Sequence, residues 1–499
     1  MSPTQVCGGE RGWSVVPESG RWQVRWWQDV PPAQRRTVRF VAASAVAGFV
    51  VATGAVTAAG PWDGGQRTAE RAVAAAAAQA GDEGRPGAAG RAPAAAPPVL
   101  GALRAGRPGT REGLTAALEP LLQDPALGPD RSASVVDVAT GEPLHGSAQD
   151  VPYTPASTIK AATAAAALAA LGPEHRIETT VVRSGDGIVL VGGGDPTLTA
   201  RPAAGGGPRS ASLTELADAT ARALKTAGAR RTRLAYDASR YTGPAQHVIG
   251  PNENIAPVSA LMVDEGRLDD SDRGPADRSA EPAADAARRF AALLQERGVE
   301  VEGEPSEGRA APGAARLAAV SSAPLADLVE RALTNSDNDI AEALARQTAL
   351  ASGQPASFEG AGKAVTDRLS ALGLPMAGVR IADGSGLDRA DQATAEFLAR
   401  LLARTADPAT PRLRPVLTGL PVAGFTGTLR QRYPRETVGR ATVRAKTGTL
   451  TGVNTLAGTA VTPSGRLLAF AFMASGTSSP DGAQQALDRL ASAVAATTD

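Results

Sequence analysis

Three scarcities narrow the chemistry open to this chain. Of its 499 residues one is cysteine, Cys7, so no disulfide can close within it. Three are histidine (His145, His175 and His247), and none has the paired spacing of a zinc ligand set. Metallopeptidase chemistry is thereby set aside, and no metal or cofactor is expected. Net charge is also missing: 51 basic side chains face 51 acidic ones, which leaves no basic field for nucleic acid. Aromatics amount to 3%, and all five tryptophans (Trp13, Trp22, Trp26, Trp27 and Trp62) precede residue 63. What remains plentiful is small and apolar. A 43% hydrophobic content is ample for a core, in a chain with room for two or more domains.

Phe40 to Ala59 carries no charge. As a helix it would be about 30 Å long, enough to span a bilayer core. Arg11, Arg21, Arg25, Arg35, Arg36 and Arg39 precede it against Glu10, Glu18 and Asp29, an excess of positive charge that puts residues 1–39 in the cytoplasm. Trp22, Trp26 and Trp27 read as interfacial anchors on that side. Val56-Thr57-Ala58 would also suit a signal peptidase, but the apolar run and its leader are long for a signal. The expectation is an uncleaved transmembrane helix at the cell membrane; cleavage would secrete the remainder, and both readings export it. Residues 60–98, rich in Ala, Gly and Pro, cannot bury a core and read as a tether.

Folded sequence is expected from residue 99. Ser132–Val138 alternates like a strand and turns at Thr140-Gly141-Glu142-Pro143 into a second one. An alanine-rich helix follows over Ala156–Ala170, then a hairpin at Ile177–Arg183 and Ile188–Val191. Ser212 with Glu215 forms a capping box. Arg233–Tyr236 reads as a strand, residues 264–285 as a loop, Ala286–Arg297 as a helix and Leu325–Leu350 as two helices. A last hairpin, Asn454–Val461 with Leu467–Ala474, leads to a helix over Ala483–Ala495. Strands at both ends with helices between imply an α+β fold. Its main domain, an antiparallel sheet flanked by helices, would comprise 99–176 and 311–499, with an inserted α/β domain over 177–310.

Three short strings fall in a telling order: Ser157-Thr158-Ile159-Lys160, Ser336-Asp337-Asn338 and Lys446-Thr447-Gly448-Thr449. They spell S-x-x-K, S-x-N and K-T-G, the set of the penicillin-interacting serine enzymes. Each is common by itself; the order and the local context are not. A serine hydroxyl needs a base within reach, and positions three apart on a helix share a face, so Ser157 and Lys160 meet. Lysine is a base only when neutral, and burial beside a second cation, here Lys446, lowers its pKa. Ser336 can relay the proton to the leaving amine, and the Asn338 amide can hold the substrate backbone. Thr447 and Thr449 can bind a carboxylate, with Gly448 between them. The N–H groups of Ser157 and Thr449 would form the oxyanion hole.

On these motifs the chain resembles the class C low-molecular-mass penicillin-binding proteins, the D-alanyl-D-alanine carboxypeptidases and endopeptidases of peptidoglycan. Leu190–Pro196, Tyr236–Ser239, Ala256–Leu261, Ser336–Glu342, Asp383–Leu387, Gly427–Arg430 and Ala445–Thr449 resemble recurring stretches of that family, which covers roughly 110–495. The Ser157-to-Ser336 gap is too long for a compact class A β-lactamase and fits one inserted domain. The resemblance implies a transpeptidase-type fold, a serine acyl-enzyme on D-Ala-D-Ala stem peptides, and acylation by β-lactams. Two competing readings stay open: a β-lactamase or esterase on the same site, and an idle cell-wall scaffold. One departure stands out, since relatives often carry a tryptophan shortly after the Tyr-Asp stretch and this chain reads Gln246-His247-Val248-Ile249. His247 is expected to be structural or exposed, and Gly192-Gly193-Gly194-Asp195 to be a tight turn.

Overall fold

A computed structural model describes residues 111–201 and 210–498. The segments 1–39, 40–59 and 60–98 lie outside the described residues. Among those described, no helix is long and apolar enough to cross a membrane.

The main sheet has five strands: β1 (Asp130–Asp137), β2 (Pro143–Ser147), β10 (Val443–Leu450), β11 (Val453–Val461) and β12 (Leu467–Ser475). Their order is β10-β11-β12-β1-β2, antiparallel throughout, so the chain's two ends share one sheet. Strand alternation sends successive side chains to opposite faces. Val135, Leu456, Phe470 and Phe472 turn to one face, with helices α1 (Arg111–Leu122) and α10 (Pro480–Ala495) packed on it. Val136, Ala457, Ala469, Ala471 and Met473 turn to the other. There α8 (Ala395–Ala406) packs on the strands, and α2 (Lys160–Leu171), α5 (Leu325–Asn335), α6 (Asn338–Ala351) and α7 (Phe358–Ala371) complete the same apolar cluster. Both faces are therefore apolar and covered. Phe470 and Phe472 stack at 5.2 Å between centroids, and burying each such ring contributes about 2–3 kcal/mol.

A second core lies between the serine–lysine and S-x-N segments. Strands β3 (Glu178–Ser184), β4 (Gly187–Val191), β6 (Leu234–Asp237), β8 (Ser306–Glu307) and β9 (Arg316–Ser321) form a sheet in the order β8-β6-β4-β3-β9, beside a short pair β5 (Arg231–Thr232) and β7 (Glu300–Val301). β3 pairs antiparallel with β4 and β9, whereas β4–β6 and β6–β8 are parallel. Helices α3 (Leu213–Thr226) and α4 (Pro282–Glu296) cover it through Leu216, Leu224, Phe290 and Leu294. Because β9 pairs with β3, this sheet runs past residue 310, where the sequence reading ended the insertion. A six-residue strand far along the chain could be assigned to either sheet until its partner was known. The helix expected from Ala286 begins earlier, at Pro282, whose fixed φ and missing donor suit the first turn.

Candidate active site

Ser157 lies in a 3-10 turn, Ala156–Ile159, that runs directly into α2 at Lys160. In that tighter winding positions i and i+3 eclipse, which brings the Lys160 amine to 2.9 Å from Ser157 Oγ. Ala156 holds the left-handed φ of 49°, a conformation that costs a non-glycine residue about 1–2 kcal/mol. Its surroundings are glycine for steric reasons. A Cβ on Gly386 would lie 2.1 Å from the Ala156 carbonyl, and one on Gly448 would lie 2.1 Å from Thr455 Oγ1 and 2.7 Å from the Pro155 carbonyl.

The other two motifs converge on this turn. Ser336 sits between α5 and α6 at φ 59°, ψ 40°, and Asp337 caps α6 by accepting from the Ile340 amide at 3.0 Å. Lys446, on edge strand β10, donates to Ser336 Oγ at 2.9 Å and to the Thr447 carbonyl at 2.8 Å. Lys160 donates also to Asn338 Oδ1 at 2.6 Å and to the Ser385 carbonyl at 2.5 Å. Asn338 is in turn held by its Nδ2, which donates to the Asn254 carbonyl at 2.9 Å. Ser157, Lys160 and Asn338 thus form one hydrogen-bonded group and Ser336 with Lys446 a second, and Ser157, Ser336 and Asn338 line one cleft. Thr447 and Thr449 line the same cleft. The Ala445 amide donates outward to Pro421, away from β11. Amides two and four residues on point the same way along a strand, so the Thr447 and Thr449 N–H groups face the cleft.

Both lysines are fully buried. Burial pushes the Lys160 amine down to about 8, against the opposing pull of Asp383, Asp337, Glu342 and Asp391. Lys446 falls well below its ordinary value, through burial first and the charge of Lys160 second. The sequence reading made Lys446 the agent that depresses Lys160. In the folded protein burial does most of that work, and the repulsion between the amines bears on Lys446.

Residues that the motifs did not assign complete the site. Thr428 receives the Thr447 hydroxyl at 2.9 Å. The cleft, with a volume of about 390 Å³, is lined on one side by Arg267, Arg273 and Arg278 and also by Arg432. Each is paired with a carboxylate: Arg267 with Glu265 at 2.9 Å, Arg273 with Asp272 at 3.6 Å, Arg278 with Asp339 at 3.1 Å and Arg432 with Asp488 at 2.6 Å. Arginines spread over a loop and a distant turn have no spacing that could announce them. Two acidic groups are close enough to hold a cation, His247–Glu342–Asp383 and Glu265–Asp337–Asp339. Both are engaged by protein: Glu342 by Arg346 at 3.1 Å, Glu265 by Arg267 at 2.9 Å and by Arg331, and Asp339 by an ion pair with Arg278 at 3.1 Å.

A serine turn, a buried lysine beside it and an edge strand carrying Lys446-Thr447-Gly448-Thr449 on a five-stranded sheet are the arrangement of a penicillin-interacting serine hydrolase. The chain belongs to the D-Ala-D-Ala carboxypeptidase 3 (S13) family, whose profile matches residues 114–271 and 272–494. It is 38% identical over 401 residues to a carboxypeptidase of Mycobacterium tuberculosis, covering 76% of this chain and 83% of that one. A D-alanyl-D-alanine carboxypeptidase of Actinomadura sp. is 30% identical, with 73% of this chain and 81% of that one aligned. Among solved structures, penicillin binding protein 4 of Haemophilus influenzae superposes with a TM-score of 0.60 at 21% identity, over 77% of this chain and 98% of that chain. That likeness establishes the mixed α/β fold with its antiparallel sheet.

Proposed function

We infer that the protein is a serine-type D-Ala-D-Ala carboxypeptidase that acts on peptidoglycan stem peptides through an acyl-enzyme and is acylated by β-lactams. Cleavage of D-Ala-containing cross-links would use the same steps. The observation that carries this reading is the environment of the Lys160 amine. Two fixed acceptors, Asn338 Oδ1 and the Ser385 carbonyl, take the two N–H bonds of the neutral amine, and its lone pair is left facing Ser157 Oγ.

Lys160 receives the Ser157 proton as Oγ attacks the carbonyl carbon between the two D-alanines. The N–H groups of Ser157 and Thr449 stabilise the oxyanion, while Thr447, Thr449 and the Lys446 charge hold the terminal carboxylate. Collapse breaks the C–N bond, and the proton that Lys160 took from Ser157 passes through the Ser336 hydroxyl to the departing amine, which leaves Lys160 neutral again. Water deprotonated by Lys160 then attacks the ester, which releases the shortened stem and restores Ser157.

The test is labelling with a fluorescent penicillin beside Ser157→Ala, together with release of D-alanine from a D-Ala-D-Ala peptide. Wild type should label durably and release D-alanine, and the variant should do neither. Equal labelling of the variant would sink the assignment, and rapid turnover of the label would favour a β-lactamase.

The uncharged run Phe40–Ala59 with its arginine-rich flank supports a single-pass anchor that leaves the catalytic region outside the cell, with 60–98 as tether. Alkaline carbonate washing should leave the full chain in the membrane pellet. Its release into the supernatant would refute the anchor.

A further inference from the structure

His247 is buried, 2% exposed, on the loop that follows β6. Its Nε2 lies 2.7 Å from Asp383 Oδ2. The Ile249 amide donates to Nδ1 at 3.3 Å, which favours the tautomer whose Nε2–H donates to Asp383. Asp383 has an unusual load. Its two oxygens also accept from the amides of Ser385, Gly386, Leu387 and Asp388, at 3.0, 2.6, 3.1 and 2.9 Å, and from the Ser385 hydroxyl at 2.8 Å. The carboxylate therefore ties residues 383–388 into one tight turn. The Ser385 carbonyl of that turn is one of the three oxygens around the Lys160 amine. The next carbonyl back, on Gly384, takes the Thr163 hydroxyl at 2.8 Å, one turn further along α2.

We propose that His247 is a positioning residue for the general base: through Asp383 it fixes the turn whose Ser385 carbonyl orients the Lys160 amine toward Ser157. The proposal rests on the serine–lysine reading above and adds a residue to it. It also gives the insertion-side loop a role in acylation, although that loop contributes nothing directly to the Ser157–Lys160 contact. The surroundings of His247 favour a held ring. Phe358 of α7 meets it edge-on at 5.3 Å, and Arg346 of α6 stacks over the same phenyl ring at 4.1 Å. The charged groups acting on it are Asp383 and Asp388 from the turn and Glu342 from α6, and Glu342 is paired with Arg346 at 3.1 Å. Burial would push the imidazole down, but the hydrogen bond and charge of Asp383 outweigh it and leave the ring above its ordinary value. Whether the ring carries one proton or two, removing its N–H leaves the Asp383 charge less neutralised, and that charge favours protonated Lys160.

Three variants of the full chain separate this from a packing role. Phe keeps the ring contact with Phe358 and loses the donor. Asn keeps a polar amide but is too short to reach Asp383, and Gln restores an N–H at the reach of Nε2. Stopped-flow acylation by a chromogenic β-lactam should show His247→Phe and His247→Asn slowed about tenfold or more at saturation. Their half-saturating concentrations should stay within about twofold of wild type. The pH at half-maximal acylation should rise by about one unit in both, and His247→Gln should recover most of the rate. If His247→Phe does not fold, the Asn–Gln comparison decides. Folded Phe or Asn variants that acylate at the wild-type rate with an unmoved profile would overturn the proposal. So would a Gln variant as slow as Asn. Failure of the wild type to acylate would instead overturn the serine–lysine reading itself.

Discussion

Acylation of Ser157 should climb with pH along the titration of Lys160. Burial brings that amine from 10.5 to about 8. At pH 7 about one molecule in ten then has the free amine, against roughly one in three thousand for an ordinary lysine. Burial thus supplies about 300-fold more competent base, equivalent to about 3 kcal/mol between the two protonation states. The four carboxylates nearby work against this, so the low value depends on the amine staying dry between α2, the Asp383 turn and Asn338. The assay is the second-order rate constant for a chromogenic β-lactam, measured across the range where the fold persists. The rate should rise about tenfold per pH unit below the midpoint, reach half its maximum near pH 8, and level above it. A profile flat across neutral pH would mean that the base is not titrating there. A midpoint near the ordinary lysine value would mean that the amine is solvated in solution. Either result would refute the argument from burial.

Other outcomes follow from the same geometry. Gly448→Ala puts a Cβ 2.1 Å from Thr455 Oγ1 and 2.7 Å from the Pro155 carbonyl, so β10 must back away from the serine turn; acylation should fall about a hundredfold or more, read by the penicillin assay. Thr449→Val removes a hydroxyl proposed to hold the substrate carboxylate and should raise KM for a D-Ala-D-Ala peptide roughly tenfold, with kcat changed less. Arg346→Met leaves Glu342 buried without its ion-pair partner at 3.1 Å, which should cost about 3–5 kcal/mol in chemical denaturation. Asp137 accepts from Arg466 at 2.7 and 3.1 Å. Burial would raise it, but the Arg466 guanidinium and two backbone amides outweigh burial and hold it below 3.8. A carboxyl depressed by folding stabilises the fold above its unfolded value, and that contribution is lost as pH falls below 3.8. Asp137→Asn should therefore lower the melting temperature near neutrality and matter progressively less in acid.

Much of the scaffold was legible because local rules and tertiary packing agree. The capping box at Ser212 is an N-cap, its hydroxyl accepting from the Glu215 amide at 3.2 Å. Ser336 falls at the junction of two helices, and the terminal hairpin forms with its alternation facing two apolar layers. The serine–lysine pair needed no long-range information, since three residues of one turn separate them. Other features were hidden for definable reasons. The expected helix start at Ala156 is a 3-10 turn with Ala156 at φ 49°, packed too closely against Gly386 for a side chain there, a long-range contact that local spacing does not announce. Of the two expectations for His247, structural or exposed, the buried one holds, and its partner Asp383 could not be read locally because it lies 136 residues away. Asp383, Ser385 and Thr428 sat in stretches recognisable by resemblance, with nothing local to say which atom would face the site.

The division follows from range. Local spacing placed Lys160 beside Ser157 and marked the strand that carries Lys446 and Thr447, and the order of the three motifs along the chain singled them out. The charge state of Lys160 was beyond such reasoning, because a pKa depends on everything that excludes water from the amine. Asn338 of one helix and Ser385 of the turn that Asp383 ties together approach Lys160 from points far away in the chain. Tertiary packing alone brings them within hydrogen-bonding distance, and that packing makes an ordinary lysine a base near neutral pH.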